Sequence, residues 1–178
     1  FNKCSSLEQI QIPSSVDQIN EYVFNECSAL KKVEIPSSVT FISNSAFNKC
    51  TSLEQIQISS SVNEIDDFAF SDCTSLIKVE MPSSVRETGE GIFKGCTSLT
   101  QITISSSMTE INDCFLNGCS SLEQITIPPS VKILRKGIFK GCSSLKKITL
   151  SSTTQIGNNA FDGCSSLTQI EIPSSVTK

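Results

Sequence analysis

The sequence predicts an α/β repeat solenoid: a curved array of coils with a parallel sheet of about eight short strands on one face and short helical turns or loops on the other. Three observations predict it: a fixed period, a strand-then-turn pattern inside each period, and apolar residues that return to the same places. Phenylalanine or leucine opens a unit at Phe1, Phe24, Phe47, Phe70, Phe93, Leu116, Phe139 and Phe161. The first six intervals are 23 residues and the seventh is 22, giving units 1–23, 24–46, 47–69, 70–92, 93–115, 116–138, 139–160 and a partial 161–178. A period of this length marks a supersecondary unit that buries its apolar side only by stacking on its neighbours, so the 178 residues form one domain.

Each element follows from one unit. The first reads FNKCSSLEQIQIPSSVDQINEYV. Its segment Leu7 to Ile12 ends in apolar–polar–apolar alternation, the signature of a short half-buried strand. Pro13 and its equivalents Pro36, Pro82, Pro128 and Pro173 end that strand, because proline cannot donate to a ladder. Two serines turn the chain, and Val16 and Ile19 then point inward at a three-residue spacing. Polar residues such as Ser43 and Asn44 ahead of Ala46 and Phe47 predict a capped single helical turn. Seven apolar positions per coil (Phe, Cys, Leu, Ile, Ile, Val, Ile) stack into seven ladders, and coils of this kind have leucine-rich-repeat architecture.

Composition removes several function classes. With no histidine there is no Ser-His-Asp triad, Cys-His pair or imidazole-liganded metal. Apolar runs are too short to span a membrane, and no secretion signal is expected within these residues, Phe1 not being a natural start. Paired carboxylates such as Asp66 and Asp67 read as turn residues, so no enzyme, cofactor or metal is expected.

The string C-x-S-L-x-x-I-x-I-P-S-S-V-x-x-I followed by A-F-x-x-C resembles the BspA-like, or Treponema-type, leucine-rich repeats over residues 1–178. Three units depart from it: Thr88 stands in place of isoleucine, Leu116 in place of phenylalanine, and Ser151-Ser152-Thr153-Thr154 in place of P-S-S-V with one residue lost. The resemblance implies a non-enzymatic, adhesin-like protein, at the cell surface or secreted, that binds a host, matrix or other surface protein. An intracellular or structural scaffold in the cytoplasm is the alternative.

Eight of the nine cysteines share one position: Cys4, Cys27, Cys50, Cys73, Cys96, Cys119, Cys142 and Cys164. A ladder of buried free thiols is expected there, since free cysteine behaves as a small buried residue. Disulfides between stacked coils are not sterically excluded, with alpha carbons ~5 Å apart, but parallel side chains would have to be bridged inside the core. Cys114, beside Asp113, is the expected exposed thiol.

If Leu7, Ile10 and Ile12 point inward, the residues between them form the outer sheet face. That face is the expected partner-binding surface, centred on Lys32, Glu34, Gln55, Gln57, Lys78, Glu80, Gln101, Gln124 and Lys147. It carries no aromatic anchor, which predicts a broad protein contact and no small-molecule pocket. Phe41, Ile77 and Ile133 are apolar at otherwise polar positions.

Charge is uneven. Residues 47–115 hold ten acidic and four basic side chains, net −6, and residues 116–160 hold one acidic and six basic, net +5. Glu64, Glu87 and Glu110 recur at one position and are joined by Asp66, Asp67, Glu90 and Asp113, a row expected to meet a cation or a basic partner. No D-x-D-x-D-G loop is present for calcium, and six basic charges without interleaved aromatics do not predict nucleic-acid binding. Neither end reads as a polar cap, so the sequence is expected to be part of a longer array or to associate end to end.

Overall fold

The computed structural model describes residues 1–177. Its strands in chain order are β1 (Gln9–Gln11), β2 (Gln18–Ile19), β3 (Lys32–Glu34), β4 (Phe41–Ile42), β5 (Gln55–Gln57), β6 (Glu64–Ile65) and β7 (Lys78–Glu80). They continue as β8 (Glu87–Thr88), β9 (Gln101–Thr103), β10 (Glu110–Ile111), β11 (Gln124–Thr126), β12 (Ile133–Leu134), β13 (Lys147–Thr149) and β14 (Gln155–Ile156). Each of the first seven coils therefore contributes two strands where the sequence suggested one. The odd-numbered strands pair in parallel as β1-β3-β5-β7-β9 and as β11-β13. The even-numbered strands form β2-β4-β6-β8 and β10-β12-β14 on a second face. Both breaks adjoin the coil 93–115, which carries Met108 where its neighbours carry valine.

Two expectations are corrected. The main face holds seven strands among the described residues, not eight, because Gln169 to Glu171 forms none. No helix occurs among the described residues either; the predicted helical turns are single hydrogen-bonded turns, with Ala46 N–H donating to Ser43 O and Asn48 N–H to Ser45 O, both at 3.2 Å. The reason lies in two left-handed positions per coil. One column runs Lys3, Glu26, Lys49, Asp72, Gly95, Gly118, Gly141 and Gly163; the other runs Tyr22, Ser45, Phe68, Gly91, Cys114, Gly137 and Asn159. Ser45 and Lys49, at φ of 52° and 58°, leave only three residues between them, too few for a helical turn to propagate. Their amides donate along the array instead, Ser45 N–H to Asp67 O and Lys49 N–H to Ser71 O, both at 2.8 Å.

The core lies between the two sheets and the turns. The seven expected ladders are buried in the central coils, with Ile102 half-buried, and an eighth, through Ala46, Ala69, Ile92, Phe115 and Ile138, joins them. Phe1, Phe24, Phe47, Phe70 and Phe93 stack with centroids 5.1 to 5.6 Å apart and rings within 18° of parallel. At Leu116 the stack passes to the preceding residue: Phe115 meets Phe93 edge-on at 5.6 Å and 76°. The leucine substitution thus keeps an aromatic contact, in the other favoured geometry.

Serine and threonine hold the coils in register. The second serine of the P-S-S-V turn reaches back one coil, with Ser38, Ser61 and Ser84 hydroxyls donating at 2.6 Å to the carbonyls of Val16, Val39 and Val62. The residue after most of the ladder cysteines does the same more loosely, as in Thr51 to Ser28 O at 3.3 Å and Thr74 to Thr51 O at 3.4 Å. These bonds tie turn carbonyls of one coil to hydroxyls of the next.

Candidate functional site

The main sheet presents the expected face. In every odd-numbered strand the middle residue is buried or half-buried and the two outer residues are exposed. Parallel register lines up Gln9, Lys32, Gln55, Lys78 and Gln101 in one row, and Gln11, Glu34, Gln57, Glu80 and Thr103 in the next. Gln124 pairs with Lys147, and Thr126 with Thr149, on the second segment of the sheet. Charged coils alternate with glutamine coils over the first half of the face.

Within a charged coil the charges are paired. Lys32 Nζ lies 2.8 Å from Glu34 Oε1, and Lys78 Nζ lies 2.6 Å from Glu80 Oε1. Hydrogen bonds from these lysines, with their positive charge, hold the Glu34 and Glu80 carboxyls below the ordinary range. Over the second half, Gln101, Gln124 and the threonines are uncharged, and Lys147 stands without a carboxylate on its own strand. An open concavity of about 640 Å³ lies over Lys78, Glu80, Gln101, Gln124, Thr126 and Lys147. It is broad and shallow, lined by amides and hydroxyls that can both donate and accept.

The acidic row falls on the second face, and the structure divides it. Glu64 and Glu87 are direct register partners on β6 and β8. Glu110 begins the separate β10 segment and pairs with Arg135, Nη2 to Oε2 at 2.9 Å. Three aspartates serve the backbone: Asp66 Oδ1 accepts from Asp67 N–H at 2.8 Å, Asp67 Oδ1 from Glu90 N–H at 2.6 Å, and Asp113 Oδ1 from Lys136 N–H at 3.0 Å. Only Glu64, Glu87 and Glu90 remain as exposed carboxylates free of such duties. Among the described residues no three acidic or thiol groups converge closely enough to hold a metal ion.

Of the apolar residues at polar positions, Ile77 is 46% exposed, whereas Phe41 and Ile133 are half-buried on β4 and β12. Tyr22, 45% exposed in a left-handed column, escaped sequence reasoning, as did Phe68, over which Lys94 Nζ sits 6.0 Å from the ring centroid. The glycines at 91 and 137 were the available signal that this column is left-handed.

All nine cysteines are free thiols. Cys27, Cys50, Cys73, Cys96, Cys119 and Cys142 are buried, and each donates its S–H to the carbonyl of the residue that opens the preceding coil, at 3.1 to 3.2 Å. Burial pushes the Cys50 and Cys142 thiols up to about 12, and Cys73, Cys96 and Cys119 well above their ordinary value. Cys114 is half-buried and Cys4 is the exposed thiol, the reverse of the expected order. No helix among the described residues is long and apolar enough to cross a membrane.

Comparison with known proteins gives a consistent result. The profile of the BspA type leucine rich repeat region matches residues 1–122 and 65–178, in six copies. A leucine-rich repeat protein from Bacteroides ovatus superposes with a TM-score of 0.93 at 30% identity, over 99% of this chain and 46% of that one. The leucine-rich repeat protein of T. pallidum gives 0.83 at 30% identity, over 90% of this chain and 78% of that one. A leucine rich cell surface protein from Faecalibacterium prausnitzii gives 0.61 at 27% identity, over 94% and 60%. No curated protein matches the sequence. With the repeat pattern, the double-sheeted coil and these likenesses in agreement, the chain belongs to the BspA-type leucine-rich-repeat family.

Proposed function

We propose that this chain is the recognition part of an adhesin-like surface protein and binds a host or matrix protein across the exposed face of its main sheet. The observation that carries the reading is the unbroken exposure of both outer residues on all seven odd-numbered strands. Solenoids use such extended faces for protein contacts, and leucine-rich repeats are protein-interaction scaffolds. The surface assignment draws on the Faecalibacterium prausnitzii structure, which is called a cell surface protein. This chain spans 46% of the Bacteroides ovatus protein, so the activity of a whole protein is part of the proposal. A scaffold in a reducing compartment is the competing reading, supported by the nine free thiols.

The test is binding of the purified chain to immobilised fibronectin, laminin and collagen. It is set beside the quadruple variant Lys32→Ala, Lys78→Ala, Gln101→Ala and Gln124→Ala. These residues are exposed, so the fold is retained. Binding by the natural chain and a loss of about tenfold or more in the variant is expected, since truncating a few central contacts carries most of an interface. Equal binding by both excludes this face, and binding to none of the three removes the matrix-adhesin reading.

A further inference from the structure

Both sheets are interrupted beside the same coil, and we infer that the coil 93–115 is a bending joint between two stiff blocks, residues 1–92 and 116–178. Backbone hydrogen bonds between coils locate it. On the main sheet Lys31, Glu54, Ile77, Thr100 and Lys146 share one repeat position, and each N–H donates to the same position of the preceding coil at 2.8 to 3.3 Å. Glu123, the member of that column just ahead of β11, makes no such bond. On the second sheet Thr40, Asn63, Arg86, Lys132 and Thr154 bond in the same way at 2.7 to 3.0 Å, and Thr109 does not. Asn112 departs too. Its side-chain Nδ2 reaches Thr88 O, where its neighbours Gly89 and Arg135 donate their backbone N–H to the preceding coil. The second sheet is thus interrupted before β10 and the main sheet after β9, so this coil leaves one strand with each block.

The turn side is continuous through the same coil. Phe93 N–H donates to Phe115 O at 3.1 Å and Leu116 N–H to Ile138 O at 3.0 Å, while Gly95 and Gly118 reach Asn117 O and Lys140 O at 2.7 Å. Bonds kept on one side and missing on the other make a hinge: the turns are its pin, and the two sheets open and close about it. Core packing changes at the same place. Met108 and Phe115 stand where the coil 24–46 has Val39 and Ala46, and the parallel ring stack that ends at Phe93 resumes only with Phe139 and Phe161. Methionine, unbranched and adaptable, tolerates shifting walls. On either side of the coil the hydroxyl oxygens of Thr88 and Ser130 are buried without a partner, although Ser38, Ser61 and Ser84 at the position of Ser130 find one. Local opening concentrates where bonds and packing are poorest. The concavity over Lys78, Gln101, Gln124 and Lys147 straddles the gap between β9 and β11, so bending there alters the curvature of the main face without unfolding a coil. The joint belongs to the array itself and does not depend on the proposed adhesion.

Distances between paired nitroxide labels, measured by pulsed dipolar spectroscopy, test this. The background is Cys4→Ser/Cys114→Ser/Cys164→Ser, which removes the three thiols that are not buried. One label pair is Gln9→Cys/Gln101→Cys, within the first block; the other is Gln55→Cys/Lys147→Cys, across the gap. All four sites are exposed on the main sheet. Each pair spans four coils, about 19 Å at the spacing of neighbouring strands. The distance distribution of the second pair is expected to be about twofold wider or more, because only that pair senses the opening. Returning the coil to the residues of its relatives, with Met108→Val/Phe115→Ala/Leu116→Phe, is expected to narrow the second distribution to the width of the first. Equal widths for the two pairs in the parent overturn the joint. A second pair that stays wide in a folded, repaired chain overturns its placement in this coil. The comparison within the parent decides the matter even where the repaired chain does not fold.

Discussion

At Thr88 the repeat places a hydroxyl where its neighbours Ile42, Ile65 and Ile111 place a methyl-bearing chain. The side chain is 8% exposed and its Oγ1 has no hydrogen-bond partner. Thr153, fully buried in the shortened unit at a valine position, is in the same state. A buried polar group left unpaired costs about 1–3 kcal/mol, and replacing the hydroxyl by a methyl of the same shape removes that cost. Thr88→Val is therefore expected to stabilise the array by about 1 kcal/mol, seen as a rise of about 2–4 °C in melting temperature. A melting temperature that falls would mean that the hydroxyl has a partner in solution, and the account of this residue would be wrong. The same logic explains the reach of the turn serines. Ser38, Ser61 and Ser84 differ from Thr88 only in finding a carbonyl at 2.6 Å.

One coil consists of a three-residue strand, a serine turn, a two-residue strand and a hydrogen-bonded turn with left-handed positions, and the first two of these were legible from spacing alone. The apolar–polar–apolar run announced β1 and its repeats, since side chains alternate faces along a strand. The last turn was not legible. Polar residues ahead of Ala46 and Phe47 mimic a helix cap, and nothing in Ser45, Lys49, Glu26 or Phe68 announces a left-handed backbone. Only the later coils, with Gly95, Gly118 and Gly141 at one such position, carry the signal. The second strand was hidden for another reason: two residues are too few for alternation to show.

Close approach between coils is likewise invisible in the repeat. The column Ser43, Asp66, Gly89, Asn112 and Arg135 looks permissive. Yet a Cβ added at Gly89 would stand 2.2 Å from Asp67 N and 2.6 Å from the Asp66 carbonyl carbon. Gly89→Ala is expected to destabilise by about 1–3 kcal/mol through overpacking against backbone that cannot yield. Gly163→Ala, in the left-handed column with its nearest foreign atom at 3.3 Å, separates that effect from conformational cost. Denaturant melts of the two variants decide it: a Gly89→Ala chain as stable as the parent means the coils separate more easily than their contacts imply.

Across the molecule, the fold class and the sheet face follow from the period, whereas the division of charge needed the register to become a surface. The feature that spans the array is the thiol ladder, and it sets a pH limit. In the folded chain burial holds Cys50 and Cys142 up to about 12 and pushes Cys73, Cys96 and Cys119 well above their ordinary value. In the unfolded chain the same thiols ionise near 8.5. Above that pH the unfolded state therefore binds fewer protons than the folded one, and stability falls as pH rises until the folded thiols ionise in turn. By pH 10 Cys50 and Cys142 alone lose about 2 kcal/mol each, and the other buried thiols add to the loss in the same direction. The melting temperature is thus expected to hold between pH 6 and about 8 and to drop steeply by pH 10. Ionisation of exposed lysines could lower it too, so the decisive comparison is with the double variant Cys50→Ala/Cys142→Ala. That chain starts less stable, because two buried side chains are truncated, but its melting temperature falls less steeply with pH. If parent and variant decline in parallel, or if the parent stays level to pH 10, the thiols do not govern alkaline stability. Either outcome would require that they ionise inside the fold or are already ionised before it opens.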